Sequence, residues 1–414
     1  MIDYKRVVLS NGLKLLIHED ATNPMCVVNV LYDVGARDEN PEQTGFAHLF
    51  EHLMFGGSVN IPVYDEPLQR VGGENNAFTS NDITNYYIQV PSQNLETALW
   101  LESDRMLNLA FSEKSLEVQK NVVCEEFKQR YLNQPYGDVW LLLRELVYQV
   151  HPYRWATIGK ELSHIENAEI EDVKAFFKKH YNPQNAILVI AGNVKANEIE
   201  EQAEKWFGSI DRGIRYERNL PKEPLQIESR TKTVHRDVPA DAIYKVFHMS
   251  ERKSHEYYIA DIISDILSRG NSSRFHKSLL REQKLFSEIN AYVSGDMDAG
   301  MFVIEGKLSE NITVLAAEKA ILKELQNLVD EYIPEQELQK VKNKAESTFI
   351  FSEMSLLNKA MNLAYYELMG DAGMVNKETE VYQSITAEEI KKYASQLFDL
   401  GNSSTLFYLK NNIN

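Results

Sequence analysis

Residues 45–57 read GFAHLFEHLMFGG, and the interpretation of the whole chain starts from this stretch. The pattern predicts a helix from about residue 43 to residue 55, in which His48 and His52 lie one turn apart on the same face. Two imidazoles in that arrangement suit a tetrahedral zinc ion. Glu51 lies on nearly the same face, where it can activate a water at the metal without having to bind the ion itself. The order His-x-x-Glu-His is an inverted zinc motif.

A third protein ligand is expected elsewhere, because catalytic zinc usually has three of them and a water. Residues 117–130, EVQKNVVCEEFKQR, are predicted to be helical. This helix carries Gln119 and three candidate carboxylates, which are Glu117, Glu125 and Glu126. We expect its buried side to consist of Val118, Val122 and Phe127. The alternative is that the His-x-x-Glu-His pattern arose by chance on a solvated helix, although buried His and Glu side chains must be paired or bound to a metal.

Strand and helix patterns occur twice along the chain in the same order, at a spacing of about 210 residues. Predicted strands at Val7–His18, Val27–Val34 and Asn76–Val90 are joined and followed by helices, and the second half repeats this order. We therefore predict an α+β fold with two homologous domains, residues 1–210 and 229–414, each a largely antiparallel sheet with helices packed on it. Residues 211–228 are rich in charge and proline and are predicted to be a linker. The second-half helix near Glu256–Ser268 is expected to lack histidine.

Composition excludes several classes of function. The 414 residues exceed what one hydrophobic core usually holds. A net charge of −17 argues against a nucleic-acid partner, which would require a basic surface. No segment approaches the ~20 apolar residues of a membrane span. The two cysteines, Cys26 and Cys124, are too few for a disulfide framework. We expect them to be buried and reduced, and the protein to be cytoplasmic.

These residues resemble the pitrilysin/insulinase family of zinc metallopeptidases, which includes the mitochondrial processing peptidases. The most specific part is G-x-x-H-L-x-E-H-L-x-F-x-G at residues 45–57, and residues 76–87, NAFTSNDITNYY, resemble the family's active-site edge strand. The resemblance implies one zinc per protomer, bound by His48, His52 and the Glu that ends a Val-Val-x-Glu-Glu run. That Glu is Glu126, and Glu125 is the alternative if the register differs by one. Glu51 would be the catalytic base.

The resemblance also implies how substrate binds. An extended peptide would add to the edge strand through backbone hydrogen bonds, at Asn76, Ala77, Phe78, Thr79 and Ser80. This mode of recognition predicts broad tolerance of peptide sequence. The alternative is that these residues form an internal strand with no open edge.

Three positions test how closely the chain follows the family. Gln119 stands seven residues before Glu126, where the family usually has a Glu, and a Gln can still orient a ligand by a hydrogen bond. Arg281, in Leu-Leu-Arg-Glu-Gln, matches a catalytic Arg that stabilises the oxyanion. Seven residues later the family has a Tyr, whereas this chain has Glu288. Tyr292 is the nearest possible replacement.

The implied activity is that of a zinc endopeptidase or oligopeptidase acting on peptides or unfolded segments. The family's clamshell chamber contains four homologous domains, so a chain with two is expected to dimerise. Because Arg281 lacks its Tyr, we expect a heterodimer with a paralogous subunit, and a homodimer is the alternative. A different class of function is a non-catalytic peptide-binding or structural subunit, against which the complete set of His48, Glu51, His52 and Glu126 argues.

Overall fold

The computed structural model describes residues 1–107 and 109–411, which divide into two compact units. The first comprises Met1–Phe127, Trp155–Leu220 and Ile350–Lys377. The second comprises Lys128–Arg154, Pro221–Phe349 and the chain from Glu378 onward. The predicted division into 1–210, a linker at 211–228 and 229–414 differs from this one, because both units are built from discontinuous segments.

Packing explains why Lys128–Arg154 belongs to the second unit and Ile350–Lys377 to the first. The side chains of Val139, Leu143 and Val147 are buried in a core of the second unit. Residues 356–369 form a helix that packs against strands of the first unit. Within the predicted linker, Arg218 belongs to the first unit, where it forms 2.7 Å ion pairs with Asp33 and Asp38. Such long-range contacts leave no trace in local sequence patterns.

Runs of strands and runs of helices follow one another along the chain. The strands are β1 (Lys5–Val8), β2 (Lys14–Glu19), β3 (Met25–Tyr32), β4 (Glu74–Thr79), β5 (Thr84–Pro91), β6 (Ala186–Gly192), β7 (Arg230–Arg236), β8 (Ala242–His248), β9 (Phe286–Val293), β10 (Met301–Leu308) and β11 (Ser403–Lys410). The α-helices are α1 (Phe46–Leu53), α2 (Asp65–Arg70), α3 (Leu95–Leu107), α4 (Glu113–Phe127), α5 (Val139–Val147), α6 (Leu162–Glu166), α7 (Ile170–His180), α8 (Ala196–Phe207), α9 (His255–Ser268), α10 (Val314–Asp330), α11 (Glu335–Ser352), α12 (Leu356–Met369), α13 (Glu378–Ser384) and α14 (Ala387–Leu397). Two π-helical segments cover Lys128–Leu132 and His276–Glu282.

The sheet of the first unit has the order β1-β2-β6-β3-β5-β4. Its neighbours pair antiparallel except β2 and β6, which are parallel. Two single strands predicted from the sequence are each a hairpin: Val7–His18 overlaps β1 and β2, and Asn76–Val90 overlaps β4 and β5 with the turn between them. The turn between β4 and β5 is closed by the Ser80 N–H, which donates to the Ile83 carbonyl at 2.8 Å. The strand β4 consequently lies at the edge of the sheet.

The sheet of the second unit repeats this arrangement in the order β7-β11-β8-β10-β9. Its one parallel pair, β7 with β11, occupies the position of β2 with β6. The shared order confirms the predicted α+β class and internal repeat. Helix α9 begins at His255, one residue earlier than predicted, and therefore contains one histidine.

Each sheet carries buried residues that fix its layers. All seven residues of β6 are buried, and α12 packs against β6 and β3. In the second unit, α9, α10 and α14 cover one face of the sheet, and α5 contributes to a core on the other. Among the described residues, no helix combines the length and apolar character needed to cross a membrane.

Candidate active site

Helix α1 carries His48, Glu51 and His52 on the side opposite its buried apolar residues. Those apolar residues hold the helix in the core of the first unit; they are Phe46, Ala47, Leu49, Phe50 and Leu53. The residue that precedes the helix is Gly45, whose φ of 90° lies in the left-handed region. A Cβ there would lie 2.5 Å from the Ile158 carbonyl oxygen, so only glycine fits.

A buried carboxylate fixes the start of α1. The Oε2 atom of Glu39 accepts the Gly45 N–H at 2.9 Å, and its Oε1 accepts the Ala47 N–H at 2.8 Å. These bonds satisfy backbone donors that a helix start otherwise leaves open. Burial raises the pKa of Glu39 to about 8, against the lowering effect of the two backbone bonds. Sequence reasoning missed Glu39, because nothing in its neighbours distinguishes it from a charged loop residue.

Helix α4 packs against α1 and brings the third carboxylate to the two imidazoles. The Oε2 atom of Glu126 lies 3.6 Å from His48 Nε2 and 3.5 Å from His52 Nε2. The two rings are 4.8 Å apart between centroids, at 82° to each other. A tetrahedral zinc with ligand bonds of about 2.0–2.2 Å separates its ligand atoms by roughly 3.3–3.6 Å. Both His–Glu126 separations therefore match a zinc site, the ligand atoms all lie within 4.8 Å of one another, and the ligand types are those that zinc prefers.

The burial of Glu125 and Glu126 on α4 distinguishes the two candidates for the third ligand. Glu126 is half-buried beside the imidazoles, whereas Glu125 is exposed. Gln119 is half-buried two turns before Glu126, on the same side of the helix. The expected buried side was wrong at two positions, since Val118 and Val122 are 49% and 45% exposed. The residues of α4 that are buried are Leu116, Val123, Cys124 and Phe127.

Glu51 is held from the edge of the sheet. The Thr79 hydroxyl donates to Glu51 Oε2 at 2.6 Å. Burial raises the pKa of the Glu51 carboxyl, while the bond from Thr79 and the charge of His52 lower it and the charge of Glu126 raises it. A carboxyl that is buried yet hydrogen-bonded suits proton transfer near neutral pH. Sequence reasoning placed Thr79 on the substrate strand but did not detect its contact with Glu51.

The predicted peptide-binding residues lie at an open sheet edge. Asn76, Ala77, Phe78 and Thr79 belong to β4, and no other strand of the described residues pairs with its outer side. The alternative of an internal strand is therefore wrong. Ser80 lies just beyond β4, where its carbonyl accepts the Ala36 N–H at 3.1 Å. Its backbone is engaged in the turn, so the available edge ends at Thr79.

The remaining predicted residues belong to the second unit. Arg281 is exposed in the π-helical segment His276–Glu282. Glu288 forms a 3.1 Å ion pair with Lys307. Tyr292 donates its hydroxyl to Glu305 at 3.2 Å, and burial together with the Glu305 charge raises the pKa of Tyr292.

Two matches to one peptidase family decide how this geometry is classified. Residues 14–154 match the family described as insulinase (peptidase family M16), and residues 167–345 match the domain described as the M16 inactive domain. The chain belongs to the M16 family. The description of the second domain as inactive agrees with α9, which has one histidine where α1 has two.

M16 proteins of similar length include a zinc protease, PqqE, from Helicobacter pylori. It is 29% identical over 412 residues, covering 98% of this chain and 92% of that protein. The crystal structure of a protease from Helicobacter pylori has a TM-score of 0.92 at 29% identity, covering 99% of this chain and 100% of that one. Pitrilysin shares the fold at a TM-score of 0.78 and 20% identity, and the match covers 99% of this chain but 45% of pitrilysin.

Proposed function

We propose that this M16 protein is a zinc-dependent endopeptidase or oligopeptidase that hydrolyses peptides or unfolded segments. The observation that carries the proposal is the group formed by His48, His52 and Glu126, whose ligand atoms all lie within 4.8 Å of one another. Glu51 lies beside this group without belonging to it. A structural zinc site is normally closed by four protein ligands, so three ligands and an adjacent base favour catalysis.

The chemistry follows from the positions of these side chains. Zinc bound to His48, His52 and Glu126, one ion per protomer, would polarise the scissile carbonyl and lower the pKa of water to about 7. Glu51 takes a proton from the attacking water and later delivers it to the leaving amine. The bond from Thr79 keeps the carboxylate of Glu51 in one orientation while it does so.

The edge strand β4 supports an extended peptide substrate. A peptide that adds to β4 between Asn76 and Thr79 is recognised through its backbone, and Phe78, 40% exposed, offers an apolar contact. We propose that specificity is correspondingly broad. Ser80 contributes by closing the turn that holds the end of β4.

We further propose that the working enzyme pairs with a paralogous subunit. The basis is the second unit, where Glu288 replaces the Tyr expected from the family resemblance and Tyr292 is engaged with Glu305. Arg281 remains the proposed oxyanion donor, and a partner with an intact Arg/Tyr pair would supply the missing hydroxyl. Pitrilysin shares this fold and is more than twice as long as this chain, which supports two such chains acting together.

The test compares the wild-type chain with Glu51→Gln. We expect about one zinc per chain in both by elemental analysis, and loss of hydrolysis of a fluorogenic peptide library in the variant by about 10²–10⁴-fold. Equal activity of the two proteins would refute the mechanism. A chain that binds zinc but cleaves nothing, alone or with paralogues, would favour a non-catalytic peptide-binding subunit instead. Addition of the right paralogue should raise kcat by about 10²–10³, the contribution of an oxyanion donor.

A further inference from the structure

Helix α3 of the first unit carries a fully buried ion pair. Glu102 and Arg105, one turn apart on α3, are 0% and 1% exposed. Arg105 Nε donates to Glu102 Oε2 at 2.9 Å and Arg105 Nη2 donates to the same oxygen at 2.6 Å. The hydroxyl of Tyr64 donates to Glu102 Oε1 at 3.1 Å. Neither charge has a part in the proposed chemistry.

Stability alone gives a weak reason for burying these charges. Removing an ion pair from water is costly, and apolar residues of similar volume often stabilise a core equally well. Breaking such a pair by removing one partner is damaging, because it leaves a single buried charge. The role of the pair must therefore be sought in what its geometry holds in place.

The guanidinium of Arg105 contacts three aromatic rings from three separate segments of the first unit. Its central carbon lies 5.7 Å from the ring centroid of Phe55, which follows the zinc-motif helix α1 by two residues. It lies 4.9 Å from Tyr64, at the end of the next loop. It lies 4.3 Å from Tyr86 of β5, whose register partner on the edge strand is Ala77. A planar cation that stacks on such rings is directional in a way that aliphatic packing is not.

These contacts join the segment that follows α1 to the hairpin of β4 and β5. Phe55 and Tyr64 follow the helix that carries Glu51, and Tyr86 belongs to the hairpin that carries Thr79. The ring of Phe55 also contacts the rings of Tyr64 and Tyr86, at centroid distances of 5.9 and 6.1 Å. We propose that the Glu102–Arg105 pair sets the edge strand β4 at the distance from α1 at which Thr79 holds Glu51. Both residues are positioning residues, and the inference rests on the proposed peptidase function.

The test replaces both charges at once, so that no lone charge remains buried. In Glu102→Leu/Arg105→Met we expect normal folding and about one zinc per chain, because His48, His52 and Glu126 are untouched. We expect kcat to fall by about tenfold, the loss expected for Thr79→Val alone because the pair acts through Thr79, with KM changed by less than about threefold. The exposed pair Glu66–Arg70, changed to Glu66→Leu/Arg70→Met, is the matched control and should keep the wild-type kcat.

A double-mutant cycle with Thr79→Val distinguishes a positioning role of the pair from a general loss of packing. If the pair acts through Thr79, adding Thr79→Val to the double variant should lower kcat by less than about twofold further, because coupled residues are not additive. A full additional effect of Thr79→Val, or a folded double variant with wild-type kcat, would overturn the inference. If the double variant does not fold, Arg105→Lys replaces it in the same assays, since lysine keeps the charge and loses the planar fork.

A crystal structure of the variant provides a readout that needs no activity. We expect the distance from Thr79 Oγ1 to Glu51 Oε2 to increase from 2.6 Å to beyond hydrogen-bonding range, about 3.5 Å. An unchanged contact would refute the inference whatever happens to kcat. If the wild-type protein hydrolyses peptides no faster than Glu51→Gln, the proposed function is refuted. The distance from Thr79 Oγ1 to Glu51 Oε2 would still test whether the Glu102–Arg105 pair positions Thr79.

Discussion

Helices α1 and α9 occupy equivalent places in two sheets of the same strand order, and they differ in what they carry. Each follows the strand that pairs with the edge hairpin of its sheet, β3 or β8, and precedes that hairpin. In α1, His48 and His52 meet Glu126 from α4. In α9, the one histidine is exposed at the first position and lies 3.1 Å from Glu389. The repeated fold therefore provides a scaffold, and a few side chains on one copy provide the chemistry.

The carboxylates of Asp261 and Asp265 on α9 have hydrogen-bonding or ion-pairing partners, as carboxylates in a structural helix are expected to have. Asp261 accepts the hydroxyl of Tyr382 at 2.6 Å, and Asp265 forms a 3.2 Å ion pair with Arg269. Each carboxylate is matched within its own unit. At α1, by contrast, the imidazoles of His48 and His52 and the carboxylate of Glu126 from α4 have their ligand atoms close together, an arrangement that a cation would stabilise.

The largest expected effect comes from removing an imidazole from α1, and the same change on α9 is its control. His52→Ala should lose its zinc and at least about 10³-fold in peptide hydrolysis, because the ion supplies several kcal/mol of transition-state stabilisation. His255→Ala, the matched change on α9, should keep both zinc and activity. Elemental analysis and peptide turnover measure these outcomes. An equal loss of metal in both variants would mean that the two helices are not functionally different.

The next effect distinguishes the two adjacent carboxylates of α4. Glu126→Ala should weaken zinc binding by more than the ten- to hundredfold that loss of an outer-shell partner usually causes. Glu125→Ala should leave it within about twofold, because Glu125 is exposed. Competition with a chelator of known affinity gives both constants. The opposite order would move the ligand by one position.

Sequence patterns predicted the parts of this molecule that depend on local periodicity. The spacing of His48 and His52 follows from the helical repeat, and Glu126 and the edge strand followed from motifs. Val118 and Val122 were assigned to the wrong side, because α4 has apolar residues on two faces and periodicity does not say which is covered. The hairpin of β4 and β5 was taken as one strand, since its turn, from Ser80 to Ile83, lacks glycine and proline.

What the sequence did not predict depends on contacts between distant residues. Residues 128–154 belong to the second unit and residues 350–377 to the first. Predicting this requires knowing which sheet α5 and α12 pack against. Arg105 looks like any charged residue on an amphipathic helix until three rings from separate elements surround it. Glu39 lies six residues before Gly45, and its role follows only from the fold of the intervening loop.

A third prediction concerns stability, and it uses Glu39, a group for which we assign no equivalent on α9. The pKa of Glu39 is raised to about 8 in the folded protein from 4.5, so the folded state holds the proton more tightly than the unfolded state. This contribution to stability is fully present below about pH 4.5 and is lost as pH rises through 8. Between pH 6 and 8 the loss is on the order of 2 kcal/mol, about thirtyfold in the folding equilibrium.

Denaturant unfolding of zinc-saturated protein at several pH values measures this slope. Glu39→Gln cannot ionise and should show a shallower decline between pH 6 and 8, with a constant offset from the changed helix cap. Glu42→Gln, at an exposed position in the same loop, should keep the wild-type slope. Identical slopes in all three proteins would mean that Glu39 does not take up its proton in this range.

The smallest effect tests the link between helix and edge strand in each unit. In the first unit the link is the hydroxyl of Thr79 on Glu51, and in the second it is the hydroxyl of Ser268 on the Ala291 carbonyl at 2.8 Å. Thr79→Val removes a hydrogen bond to a charged group and should lower kcat about tenfold, with KM and zinc content nearly unchanged. Thr79→Ser retains the hydroxyl and should recover most of the rate. Ser268→Ala removes the corresponding link in the second unit and should leave kcat within about twofold. If Thr79→Val acts on KM alone, Thr79 contributes to substrate binding and the orientation of Glu51 does not depend on it.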